Sequence, residues 1–159
     1  MRTIALLLIL IPSFSFGQRL ETVFTDDFSN WRFNGENFRT NFSNDWDNWK
    51  FDGTSIRTVF SEDWDKWQIG SSVKLKTVFS DDFETWEITG HGKTIKVQTS
   101  FNDDYERWTV SGDADGSIRT VFSRNFERWD IDVDFGDIEE DLQTAIVFIA
   151  VFTGFRSNQ

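Results

Sequence analysis

The chain has no cysteine, a single proline, a single methionine and a single histidine among its 159 residues. Without cysteine there can be no disulfide staple and no thiolate ligand or nucleophile, so stability has to come from packing. The lone His91 stands between Gly90 and Gly92 with no second histidine to build a zinc set, and no nucleophile-elbow signature accompanies it. Cationic surplus is also lacking. The formal charge of −11 argues against nucleic acid and anionic headgroups, and suits cationic partners, divalent ions or plain solubility. No apolar run is long enough for a transmembrane helix: Ile4–Ile11 and Ala145–Phe152 would each cover only about 12 Å as helices.

The first of these runs follows Arg2 and leads to Ser15-Phe16-Gly17, which has the layout of a secretory signal peptide over residues 1–17 with cleavage before Gln18. An exported, cysteine-free domain fits a Gram-negative periplasm or cell surface best, and residues 18–159 are enough for one domain.

What the sequence has in plenty is aromatic residues, and they repeat. An anchor Phe occurs at positions 24, 42, 60, 79, 101 and 122. A second aromatic follows four residues later (Phe28, Trp46, Trp64, Phe83, Tyr105, Phe126), and a Trp seven residues later (Trp31, Trp49, Trp67, Trp86, Trp108, Trp129). Two residues beyond each Trp stands Phe33, Phe51, Ile69, Ile88, Val110 or Ile131. Each unit reads as a β-hairpin. Segments such as Ile56-Arg-Thr-Val-Phe60 alternate with period two and return through Trp67-Gln-Ile69 after a turn rich in Ser and Asp. This alternation assigns Ile56, Thr58 and Phe60 to one face. Three aromatics per unit at about 4–6 kcal/mol of gross transfer energy each would dominate the core.

After Trp129 the alternation runs on to Phe135 and then changes period. Asp137, with Glu140 three residues on, predicts a helix cap, and Ile138, Leu142, Ala145, Ile146, Ile149 and Phe152 recur at helical spacing. The predicted fold is therefore all-β with one C-terminal helix. Six tandem hairpins (about twelve short strands, residues 18–136) form an antiparallel meander, as a curled single sheet or a closed barrel. A helix over 137–152 packs on its apolar face or end, and 153–159 form a tail. Strands of five or six residues are too short for an outer-membrane barrel.

The candidate sites are few. Asp113, Asp115 and Ser117 place oxygens at alternate positions, a weak calcium signal without the rest of an EF-hand; no other cofactor is implied. Trp46, Trp64 and Phe83 emerge from the turns and could form a ligand rim for a glycan. Val147, Phe148 and Val151 make the second half of the helix apolar all round, a possible partner face. The repeated turn acids Asp45, Asp63, Asp82 and Asp104 could be read as paired glycosidase carboxylates. They occupy chemically similar places, however, whereas acid and base need different environments. The expectation is thus a non-enzymatic exported domain with a structural or macromolecule-binding role. A carbohydrate-binding module and a glycosidase-like enzyme are the alternatives.

Overall fold

The computed structural model describes residues 17–159, so the signal-peptide expectation for 1–17 lies outside the described residues apart from Gly17. Twelve strands run as β1 (Gln18–Thr22), β2 (Asn30–Phe33), β3 (Glu36–Thr40), β4 (Asn48–Phe51), β5 (Thr54–Thr58) and β6 (Lys66–Ile69), then β7 (Val73–Phe79), β8 (Asp82–Gly90), β9 (Lys93–Thr99), β10 (Arg107–Gly112), β11 (Asp115–Phe122) and β12 (Asn125–Asp134). Every neighbour is antiparallel, and β1 pairs with β12, so the meander closes into a barrel. The second-half strands reach nine and ten residues in β8 and β12, longer than the uniform five or six that the repeat suggests.

The repeat explains the register. In every hairpin the residue four before the anchor faces the residue two after the Trp: Leu20–Phe33, Phe38–Phe51, Ile56–Ile69, Leu75–Ile88, Val97–Val110 and Ile118–Ile131. The Trp itself lies opposite a Thr, as in Thr58–Trp67 and Thr77–Trp86. All of these side chains point into the barrel, and the six Trp are buried. Each indole N–H donates to the carbonyl of the second aromatic three residues earlier, at 2.7–3.0 Å. That bond distinguishes Trp at position seven from Phe, which is smaller and would leave the carbonyl without this donor.

The lumen is filled by α1 (Glu140–Ser157), whose residues Thr144 to Phe155 are all buried. An apolar stripe would suffice for a helix lying on a sheet; a helix enclosed by a closed sheet must be apolar all round. Phe148 meets Trp49 and Trp67, Phe152 meets Trp67 and Trp86, and Phe155 lies against Trp46 and Trp64. Gly154 is required by close approach, since a Cβ there would sit 2.5 Å from Trp31 Cη2.

Two boundaries differ from the sequence reading. The helix starts at Glu140 rather than Asp137, with Glu139 as an N-cap lacking a side-chain capping bond, because the chain must first turn through Ile138 N–H to Phe135 O to enter the lumen. It then continues to Ser157, so most of the expected tail is helical.

The outer wall carries Arg, Lys, Gln and Asp while the lumen is apolar, the reverse of a barrel built to face lipid. No helix among the described residues is long and apolar enough to cross a membrane.

Candidate functional site

In an antiparallel meander, alternate connections fall at the same end. The six aromatic turns, residues 24–29, 42–47, 60–65, 79–84, 101–106 and 122–127, therefore form one rim of the barrel. The tight turns Asn34-Gly35, Asp52-Gly53 and His91-Gly92 belong to the other end, with both residues of each at positive φ as a two-residue hairpin demands.

At the aromatic rim the regular pleat breaks at the anchor: β7 and β11 shift register between Thr77 and Phe79 and between Thr120 and Phe122, and the other four strands end before it. The residue two after each anchor is left-handed: Asp26, Asn44, Glu62, Asp81, Asp103 and Arg124 have φ between 57° and 61°. The alternation that points side chains into the barrel therefore does not extend to the anchor. Phe24, Phe42, Phe60, Phe79, Phe101 and Phe122 are exposed, from 56 % at Phe122 to 74 % at Phe42. The sequence expectation that all three aromatics of each unit are core is corrected here: the inward place goes to the second aromatic, which packs on its Trp at ring-centroid distances of 5.8–6.1 Å where pairs form, as in Phe28–Trp31 and Tyr105–Trp108.

The turns are fastened to one another by carboxylates five residues after the anchors. Asp47 accepts the Glu62 amide at 2.9 Å, Asp65 accepts the Asp81 amide at 3.1 Å, and Glu127 accepts the Asp26 amide at 2.5 Å, which carries the chain of bonds across the barrel closure. Glu84 and Glu106 do the same for Asp103 and Arg124. In the first turn Ser29 stands at this position, and no carboxylate reaches the Asn44 amide. A notch of about 590 Å³ opens at that place, between Ser29, Asn44, Trp46 and Phe155. The rim turns hold fourteen carboxylates against one cation, Arg124, so the phenylalanines project from an acidic ring.

The sequence-predicted sites fall as follows. Trp46, Trp64 and Phe83 are half-buried and turn inward, Trp46 stacking on Phe155 at 5.1 Å and Phe83 lying tilted against Phe152 at 5.3 Å. Arg156, at the helix end, lies 4.1 Å from the Phe83 ring centroid. These three form no open aromatic platform; the exposed aromatics are the anchors, which sequence reasoning placed in the core.

Val147, Phe148 and Val151 are fully buried inside the barrel, which corrects the partner-face expectation: the closed sheet surrounds them. The Asp113 carboxylate is taken by the Thr94 amide at 2.7 Å, and Asp115 and Ser117 sit on β11. No three His, Cys, Asp or Glu residues converge on a metal position among the described residues. The carboxylates of Asp63, Asp82 and Asp104 accept amides of their own turns, and Asp45 accepts the Asn48 amide group.

One contact at the opposite end was not legible. His91 Nε2 lies 2.9–3.0 Å from both oxygens of Asp141, and Lys93 Nζ is 2.9 Å from Glu139, so the β8–β9 turn clamps the start of the helix. The Asp141 hydrogen bond raises the His91 pKa above its ordinary value, and the Lys93 hydrogen bond lowers that of Glu139. Searches of family models, curated proteins and solved structures return no match to this chain.

Proposed function

We propose that the protein is an exported, non-enzymatic binding module that presents its acidic phenylalanine rim to a partner protein with a basic, apolar surface. One observation carries this reading: six phenylalanines more than half exposed on a single rim of a closed barrel. Leaving so much apolar surface in water is costly to solubility, and contiguous apolar patches rimmed by polar groups mark interaction sites. Aromatic anchors contribute most when they enter pockets on a partner, while the surrounding carboxylates steer a cationic partner and reject an anionic one. Closure, the turn-to-turn carboxylates and the filled lumen hold the rim in a fixed shape, which limits the ordering cost of binding.

The reading is tested by placing a photo-crosslinking amino acid at Phe60, or at Arg57 on the outer wall, and irradiating in the source cell's envelope and medium. The expected result is a discrete adduct from position 60 that weakens with added salt and is absent from position 57. Equal labelling from both positions, or none from position 60, counts against the rim as the binding surface.

A further inference from the structure

A second surface stands apart from the rim. Across the six adjacent strands β2–β7, the outward face carries Arg32, Arg39, Lys50, Arg57, Lys66, Lys74 and Lys76, at least one cation on each strand, and no carboxylate. Glu36, in phase with the buried Phe38, does not belong to this face. Only Lys76 forms an ion pair, to Glu87 on β8 at 3.0 Å; the other six have none among the described residues. Arg39 lies directly opposite Lys50, and Lys66 directly opposite Lys76. Facing like charges destabilise a sheet pair.

The other half of the same wall differs in carrying acids among its cations. There Arg107 also faces Arg119, but the outward positions include carboxylates, and Arg19, Arg119 and Arg128 pair with Asp130 and Glu21. In a chain of net charge −11, an acid-free cationic half-wall is a segregated surface. The surplus carboxylates sit largely at the turns, off the outward strand positions that carry these cations.

We infer that the β2–β7 wall binds an anionic polysaccharide. Neighbouring strands lie about 4.8 Å apart, so cations on successive strands recur at short intervals around the barrel. That arrangement suits a flexible single chain with charge on its sugar units, which can follow a convex wall. A rigid duplex meets a convex surface over a few phosphates only, and needs a complementary groove or wrap to contact more. Arg39 and Lys50 also line an open hollow of about 480 Å³ together with Asn37, Glu36 and Asp52, beside the β2–β3 and β4–β5 turns. The inference is independent of the phenylalanine rim.

The test measures binding of the full protein to immobilised polygalacturonate at low salt, with neutral dextran, polyphosphate and duplex DNA as comparisons. The expected result is saturable binding to polygalacturonate that weakens with salt and is absent on dextran. The Lys50→Glu/Arg57→Glu protein should bind about tenfold more weakly with a shallower salt dependence, since fewer counterions are released. Arg128→Glu on the other half and Phe60→Ser on the rim should leave binding unchanged. All substituted side chains are exposed, and unfolding curves matching the parent confirm intact folding. Absence of binding at low salt, indifference to the charge reversals, or tighter binding of polyphosphate or DNA would each overturn the assignment.

Discussion

Supplying the missing rim carboxylate should stabilise the barrel, and Ser29→Asp is the substitution that does so. The template is Asp47, whose carboxylate accepts three donors of the next turn: the Glu62 amide at 2.9 Å, Ser61 Oγ at 3.3 Å and Trp64 Nε1 at 3.0 Å. The equivalent donors one turn earlier are the Asn44 amide, Ser43 Oγ and Trp46 Nε1, in the same sequence spacing from position 29 as the first three are from Asp47. A hydrogen bond to a charged group contributes about 1.5–3 kcal/mol in protected sites and well below that at an exposed rim. At about 0.5 kcal/mol each, three bonds give about 1.5 kcal/mol, and repulsion from Asp26 and Asp27 with loss of the Ser29 hydroxyl bond to Asp27 leaves about 1 kcal/mol. For a domain of this size that is a rise in Tm of about 3 °C. Thermal unfolding at low salt should show the gain, high salt should shrink it, and Asp47→Ser should cost a similar amount. If Ser29→Asp is no more stable than the parent and Asp47→Ser is unaffected, the turn-to-turn carboxylates do not fasten the rim.

Three further outcomes follow from the packing and the clamp. Phe148→Ala, inside the lumen between Trp49 and Trp67, should cost about 3–5 kcal/mol in denaturant unfolding; a loss below about 1 kcal/mol would mean that the helix is not enclosed. Gly154→Ala gains about 1 kcal/mol of helix propensity but drives a methyl into the buried Trp31 ring, so a net loss of about 1–2 kcal/mol is expected and a net gain would contradict the contact. Because the folded His91 pKa is raised, the His91–Asp141 pair contributes fully below the ordinary value of 6.5 and is lost as pH rises through the folded value. Glu139, lowered, contributes above its ordinary 4.5 and is lost as pH falls through its folded value, so the clamp is strongest between the two. The Tm difference between the parent and His91→Gln should therefore be larger at about pH 6 than at about pH 8.5, and an equal difference at both would remove His91 from the clamp.

Much of the architecture was legible because it is periodic. Six phased Trp, each two residues from an aliphatic or Phe, specify inward positions on returning strands, and the all-round apolar helix carried the mark of an enclosed element. Closure of the sheet remained open because a curled sheet and a barrel place the same residues on the same face. Extending the alternation by one step, from Thr58 and Val59 to Phe60, misplaced the anchors. Period two holds only while the register is regular, and the shifts before Phe79 and Phe122 and the left-handed residue two places beyond every anchor mark where it ends. A signal was present: the turn always opens Phe-Ser/Asn/Thr and then Asp, Asn, Glu or Arg, a hydrogen-bonding turn opening rather than a continuing strand. The acid five residues after the anchor was equally visible. Its bond crosses to the next repeat, however, and no single unit reveals a contact between units. Gly154 lies beyond the helix end expected at 152, yet it is helical and admits the edge of Trp31.

Among the described residues the phenylalanines fall into two sets, one packed in the barrel with the helix and one displayed on a single rim. The most direct test is equilibrium unfolding of a protein with all six anchors changed to Ser. Surface sites away from special features usually shift stability by no more than about 0.5 kcal/mol each, so a folded, cooperative barrel is expected with a total loss of no more than about 3 kcal/mol. If the anchors were core, each change would cost about 3–5 kcal/mol and the six-fold variant would not fold, a result that contradicts the account outright.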